Sequence, residues 1–128
     1  MSQTKTPQEN YLYFKNLLKN TDAADKFNDD YSFAYIDAEK TFPDGTVFVS
    51  FRTGYNTDQV ISFTQRNGQI YTKTGYRNNY GNYECRPLDD GILETKNFGF
   101  GSIQKTTYDL CFKELTSKSE QNYGCCCG

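Results

Sequence analysis

The stretch Ile61–Thr74, which reads ISFTQRNGQIYTKT, carries the clearest fold signal in this chain of 128 residues. Its centre is Asn67-Gly68, a dipeptide typical of the two-residue type I′ turn between antiparallel strands. Side chains alternate in character on both sides of that turn. The resulting register places one set on a common apolar face: Ile61, Phe63, Ile70, Thr72 and Thr74. The opposite face carries polar side chains and is predicted to face water: Ser62, Thr64, Tyr71 and Lys73.

Alternation with a period of two continues on either side of this hairpin. Val47, Val49 and Phe51 form one face of the preceding strand, and turn-forming residues occur at 42–46, 88–92 and 99–101. Tyr108, Leu110 and Phe112 alternate on a final predicted strand, with Cys111 on its other face. Short turns join consecutive strands antiparallel, so we expect a meander of about six or seven strands.

A helix is predicted before the strands. Thr6-Pro7-Gln8-Glu9 forms a capping box, and an apolar stripe at helical spacing follows it: Tyr11, Phe14 and Leu18. A second short helix is expected from Thr21 or Asp22 to Phe27. The fold class is therefore α+β: one N-terminal helix, or two short ones, and then the meander. Two architectures remain open, a curved sheet holding the helix in its concavity and a small barrel with the helix at one end.

Residues 1–115 are expected to form a single domain, and the polar residues 116–128 a flexible tail that contains cysteines. The tail ends in Cys125, Cys126 and Cys127, for which four interpretations stay open. The cluster is a weak candidate metal site, an attachment point for an acyl or prenyl chain, a redox-active group of thiols, or part of a dispensable tail.

Composition excludes several classes of function. The net charge is −2 and the pI is about 5.1, which argues against a nucleic-acid partner. The chain has no histidine, so neither histidine-based catalysis nor an imidazole metal site is expected. The acidic pairs Asp29-Asp30 and Asp89-Asp90 are better explained by a helix end and a turn than by a metal site. We therefore expect a non-enzymatic protein without a cofactor.

The N-terminal residues contain neither the apolar core of a signal peptide nor a membrane span. Five cysteines, an odd number, indicate a reducing compartment, and a cytoplasmic location is expected. Cys85 and Cys111 are predicted to be small, partly buried hydrophobic residues, with a disulfide between them as the alternative.

The stretch Tyr76–Glu84 reads YRNNYGNYE and has the composition of a binding surface. Tyrosine offers rigid contact area, and asparagine offers adaptable hydrogen bonds. We expect recognition of a protein partner through Tyr76, Arg77, Asn79, Tyr80, Asn82 and Tyr83. The alternative is a hairpin loop in which asparagine and glycine serve the turn and the tyrosines pack on the sheet.

Two other functions are kept as alternatives. In the first alternative, a barrel or curved sheet encloses a cavity that binds a small apolar ligand. Five aromatic residues would form the walls of this cavity: Phe33, Phe48, Phe51, Phe63 and Phe112. In the third hypothesis the protein is anchored to lipid or handles metal through Cys125–Cys127.

Overall fold

Eight antiparallel strands form two sheets in the computed structural model, which describes residues 5–28, 30, 32–53, 58–77, 82–99 and 101–121. The first sheet contains β1 (Ala34–Thr41), β2 (Val47–Thr53), β3 (Asp58–Arg66) and β4 (Gln69–Arg77). The second contains β5 (Asn82–Pro87), β6 (Leu93–Gly99), β7 (Ser102–Tyr108) and β8 (Glu114–Gln121). Each sheet is a meander in chain order, which confirms the antiparallel α+β class. The expectation of six or seven strands was wrong, and the described residues form two open sheets and no closed barrel.

The N-terminal helix α1 spans Pro7–Leu17 and is capped as the sequence predicts. The Glu9 amide donates to Thr6 Oγ1 at 3.1 Å, and the Thr6 amide donates to Glu9 Oε1 at 2.9 Å. The second predicted helix is only a 3₁₀ turn at Ala24–Lys26. Its N-cap residue is Ala23, which offers no side-chain oxygen to the free amides of a longer helix.

The Asn67-Gly68 hairpin is confirmed. Asn67 and Gly68 have φ angles of 51° and 79°, the left-handed values that a type I′ turn requires. Ile61 lies opposite Thr74, Phe63 opposite Thr72 and Gln65 opposite Ile70, so the predicted apolar face exists. It packs under α1 in a core of nine buried residues: Tyr11, Phe14, Leu18, Ala23, Ala34, Val49, Phe51, Ile61 and Phe63.

On the opposite face of the first sheet, Ser62 and Thr64 are buried, which corrects the prediction that they face water, whereas Tyr71 and Lys73 are only partly buried. Ser62 and Thr64 are fully buried, because the second sheet covers them. Ser62 exchanges a hydrogen bond of 2.9 Å with Ser50, and Thr64 donates to the Leu110 carbonyl at 2.6 Å. Small hydroxyl groups that are paired in this way can be buried and still be hydrogen-bonded. The apolar part of this second core is Phe42, Phe48, Val60, Tyr83, Cys85, Leu93, Tyr108 and Leu110.

Phe51 and Phe63 lie in one core and Phe48 in the other, so these three rings do not line one common cavity. Tyr108 to Phe112 is not one strand either. β7 ends at Tyr108, and Asp109 Oδ1 accepts the amides of Cys111 and Lys113 at 2.8 and 3.0 Å in the turn that follows. Phe112 has a φ of 60° in this turn.

The first six residues of the predicted tail, 116–121, belong to β8. Hydroxyl and charged pairs hold this strand to β7: Gln104–Ser117 and Thr107–Thr116, each at 2.7 Å, and Lys105–Glu120 at 3.2 Å. Because most of β8 is exposed, it lacks the apolar alternation by which a strand is recognised. Cys125–Cys127 lie outside the described residues, so the four interpretations of the cluster stay predictions.

Candidate functional site

A cleft of about 160 Å³ opens where the two sheets meet. β5 lies across the first sheet and contacts all four of its strands. The cleft follows this crossing, and its walls come from β1 to β5: Asp37, Ala38, Ser50, Val60, Arg77, Asn82, Tyr83, Glu84, Cys85 and Arg86. Three of the six residues predicted as a binding surface, Arg77, Asn82 and Tyr83, are thus brought together here.

The base of the cleft depends on a close contact between Tyr83 and Gly75. A Cβ atom at Gly75 would lie 2.6 Å from three carbons of the Tyr83 ring, closer than two non-bonded carbon atoms approach one another. Glycine is therefore the residue that lets the ring lie against β4. The ring is held there with only 8 % of the residue exposed.

Two titratable groups are buried at this base, and both stay neutral. Tyr83 Oη has no hydrogen-bond partner among the described residues. Burial, and then the nearby Cys85 and Tyr108, raise the pKa of the Tyr83 phenol above its ordinary value. Burial also raises the pKa of the Cys85 thiol to about 12, against weaker opposing effects of Ser62 and Lys73. Because the thiolate is the nucleophile, Cys85 has the character of a structural residue at neutral pH.

Charged side chains form the rim of the cleft. Arg52 Nε donates to both carboxylate oxygens of Asp37 at 3.1 Å, and Arg86 Nε donates to Glu84 Oε1 at 2.9 Å. The hydrogen bond and charge of Glu84, and the charge of Asp37, raise the pKa of Arg86. Arg77 is half-buried in the wall, and none of the described carboxylates lies within ion-pairing distance of it.

The remaining predicted binding residues lie in different surroundings. Tyr76, half exposed at the end of β4, is on the face of the first sheet away from Arg77. Asn82 is exposed at the start of β5, whereas Tyr83 is buried, so its ring serves the interior, in agreement with the hairpin alternative. Asn79 and Tyr80 lie outside the described residues.

Sequence reasoning missed three charged residues of the cleft, Asp37, Glu84 and Arg86, and also Arg52, which binds Asp37. Asp37 and Arg52 come from β1 and β2, far along the chain from β5. No local pattern reveals that these strands share a cleft, because the packing of one sheet on the other brings them together. Glu84 ends the tyrosine-rich stretch without being one of its six predicted contact residues, and its carboxylate is bound to Arg86.

A second and larger depression of about 570 Å³ runs beside α1 on the first sheet. It is an open groove, and its walls are mainly apolar: Tyr13, Phe14, Leu17, Ile36, Val47, Val49 and Phe63. Tyr13 and Ile36 are exposed at its rim, where Lys5, Asn10, Glu39 and Gln65 supply polar groups.

The described residues contain no group of three or more Cys, Asp or Glu side chains placed to hold a metal ion. Asp89 and Asp90 lie in a turn, closed by a 2.7 Å bond from the Leu88 amide to the Ile92 carbonyl. Asp29 lies outside the described residues. Cys85 and Cys111 are free thiols, so the alternative of a disulfide between them is not realised. No helix within the described ranges has both the length and the apolar character needed to cross a membrane.

Comparison with protein-family models, with curated proteins and with solved structures gives no match for this chain.

Proposed function

We propose that this chain is a non-enzymatic binding domain that recognises a protein partner at the inter-sheet cleft and the adjoining ends of β4 and β5. The observation that carries the proposal is the cleft itself, a small recess with a buried base and a charged rim. Interfaces concentrate their binding energy where one anchoring side chain enters such a recess. Exposed Asn82 at the mouth and Tyr76 at the end of β4 supply residue types that interfaces favour.

The size of the cleft supports a side chain as its occupant. Pockets for small-molecule ligands have volumes of roughly 300–1,000 Å³ and are mainly apolar. This cleft measures about 160 Å³ and is bordered by four charged residues, Asp37, Arg77, Glu84 and Arg86. A binding role also agrees with the neutral Cys85 thiol and with the engagement of Glu84 by Arg86.

We place this activity in the cytoplasm, and we treat the globular part of the chain as one domain. The free thiols Cys85 and Cys111 support a reducing compartment. Cores on both faces of the first sheet join α1 and the second sheet to it, which supports a single folding unit.

The proposal is tested by photo-crosslinking in the organism's own cells. A benzophenone amino acid replaces Asn82 at the mouth of the cleft in one variant, and exposed Leu12 on α1 in a matched control. We expect a defined protein adduct from position 82 and not from position 12. No adduct from position 82, or equal capture of the same proteins from both positions, would overturn the proposal.

The apolar groove beside α1 supports a second candidate function, the binding of a small apolar ligand. Its volume of about 570 Å³ falls in the range of ligand pockets, and Phe14, Val49 and Phe63 form its base. Fatty acids and an environment-sensitive dye should then raise the melting temperature, and Ile36→Asp at the exposed rim should abolish the effect. Equal shifts for wild type and Ile36→Asp would exclude the groove as the site.

A further inference from the structure

We infer that the inter-sheet cleft is selective for a carboxylate, the side chain of an Asp or Glu residue on the partner protein, and that Arg77 determines this selectivity. The inference rests on the proposed function and names the chemistry of the residue that enters the cleft. Three features of the described residues carry it: the balance of charge, the donors at the base, and the volume.

The charge balance favours an anion. Two guanidinium groups, of Arg77 and Arg86, and two carboxylates line the cleft. Both carboxylates already have an arginine partner: Asp37 is bound by Arg52, from outside the lining, at 3.1 Å, and Glu84 by Arg86 at 2.9 Å. Arg77 is the arginine of the cleft that has no ion-pair partner among the described side chains. A guanidinium held in a half-buried wall interacts with an opposite charge more strongly than one in bulk water does. An incoming lysine or arginine would meet two carboxylates that are already neutralised, together with the repulsion of Arg77.

The donors suit a carboxylate in particular. The planar guanidinium presents paired N–H groups that match the two oxygens of a carboxylate. Tyr83 lines the same cleft, and its buried hydroxyl has no hydrogen-bond partner among the described residues. The phenol is neutral, so it donates a hydrogen bond without adding charge. A carboxylate that takes its bonds from Arg77 and Tyr83 would satisfy both groups.

The volume limits the occupant to one short side chain. At about 160 Å³ the cleft is too small for an extended peptide or a nucleotide, but it accommodates the few heavy atoms of an acidic side chain. The partner is therefore a folded or extended protein that presents an Asp or Glu beside the residues that contact Asn82.

The test is a titration of the full chain, labelled with ¹⁵N, with N-acetyl-glutamate methylamide, followed by amide shifts at residues 77 and 82–86. The neutral glutamine analogue is the matched probe, and N-acetylglycine represents a chain-terminal carboxylate. We expect saturable shifts with the glutamate probe and a response to the glutamine analogue at least roughly tenfold weaker. Arg77→Gln should abolish the discrimination, and Tyr83→Phe should weaken glutamate binding while the ring still packs on Gly75.

Arg66→Gln is the matched charge control. Arg66 lies at the other end of β3, paired with Asp44 at 3.6 Å, so its removal changes net charge equally and should leave the titration unaltered. Equal binding of the two analogues, an unchanged titration in Arg77→Gln, or preference for N-acetylglycine would overturn the inference.

The crosslinking test and the titration fail separately. A partner captured at position 82 with no discrimination between the probes would leave the proposed function standing and overturn the inference. Selective binding of the glutamate probe without any captured partner would establish the chemistry of the cleft and overturn the proposed protein partner.

Discussion

Gly75→Ala should destabilise the fold through its contact with Tyr83. The added methyl group would lie 2.6 Å from three carbons on one side of the ring, whereas ordinary contact begins at 3.4 Å. The ring must therefore retreat by nearly an ångström. Because Tyr83 belongs to the buried core between the sheets, that movement displaces neighbours that are already packed.

The expected cost is that of overpacking a filled core, about 1–3 kcal/mol in the free energy of unfolding. For a chain of this length each kcal/mol lowers the melting temperature by roughly 4 °C, so we expect a decrease of roughly 4–12 °C. The local sequence alone predicts the opposite effect of Gly75→Ala, a gain in stability. Replacing glycine by alanine restricts the unfolded chain and stabilises by about 0.4–1 kcal/mol where the backbone permits it.

Urea and thermal unfolding of Gly75→Ala, Gly99→Ala and Tyr83→Leu measure the effect. Gly99 is the matched control, since it also lies in a strand and a methyl group added there would have no atom within 4 Å. Gly99→Ala should be neutral or slightly stabilising. In the Tyr83→Leu background the flat ring is gone, so Gly75→Ala should lose most of its cost. An equal cost in both backgrounds, or a Gly75→Ala protein as stable as wild type, would refute the role assigned to the ring contact.

Two further predictions concern the buried groups beneath the second sheet. Ser62→Ala should lower the free energy of unfolding, measured in urea, by about 1–3 kcal/mol, because Ser50 Oγ loses its 2.9 Å hydrogen bond. The double variant Ser50→Ala/Ser62→Ala should cost less than the sum of the two single changes. The Cys85 pKa, raised by burial from 9.0 to about 12, means that the unfolded chain loses the thiol proton first as pH rises. The stability that the buried neutral thiol contributes is therefore complete below about pH 9 and is lost between pH 9 and 12. In that range the free energy of unfolding of Cys85→Ala should fall less steeply with pH than that of wild type. Parallel plots of unfolding free energy against pH for the two proteins would contradict this.

Local chemistry was sufficient to predict two elements of the fold. The Thr6–Glu9 capping box and the stripe of Tyr11 and Phe14 depend only on residues three or four positions apart, and α1 forms as expected. The Asn67-Gly68 turn fixes strand register in the same way, because a two-residue loop with positive φ angles permits only one pairing of its flanks.

The errors concern contacts between residues far apart in sequence. Ser62 and Thr64 resemble a solvent-facing row until the second sheet covers them, and the alternation of side chains does not tell which polar face will find hydrogen-bond partners. The rim of the cleft was missed for the same reason, since Asp37 and Arg86 come to one rim only when β5 crosses the first sheet. β8 was missed because neither of its faces needs an apolar side chain.

The serine and threonine row on the buried face of the first sheet has a consequence during synthesis. Each sheet is built from consecutive strands, so α1 and β1–β4 leave the ribosome before any part of the second sheet exists. At that stage the nascent half contains the complete core beneath α1, while its other face, which contains Phe48 and Val60, is still exposed to solvent. Ser50, Ser62 and Thr64 interrupt that surface with groups that water can solvate while β5–β8 are still being made. We therefore expect the same hydroxyls that pair inside the finished protein to make its first half less prone to associate with other nascent chains.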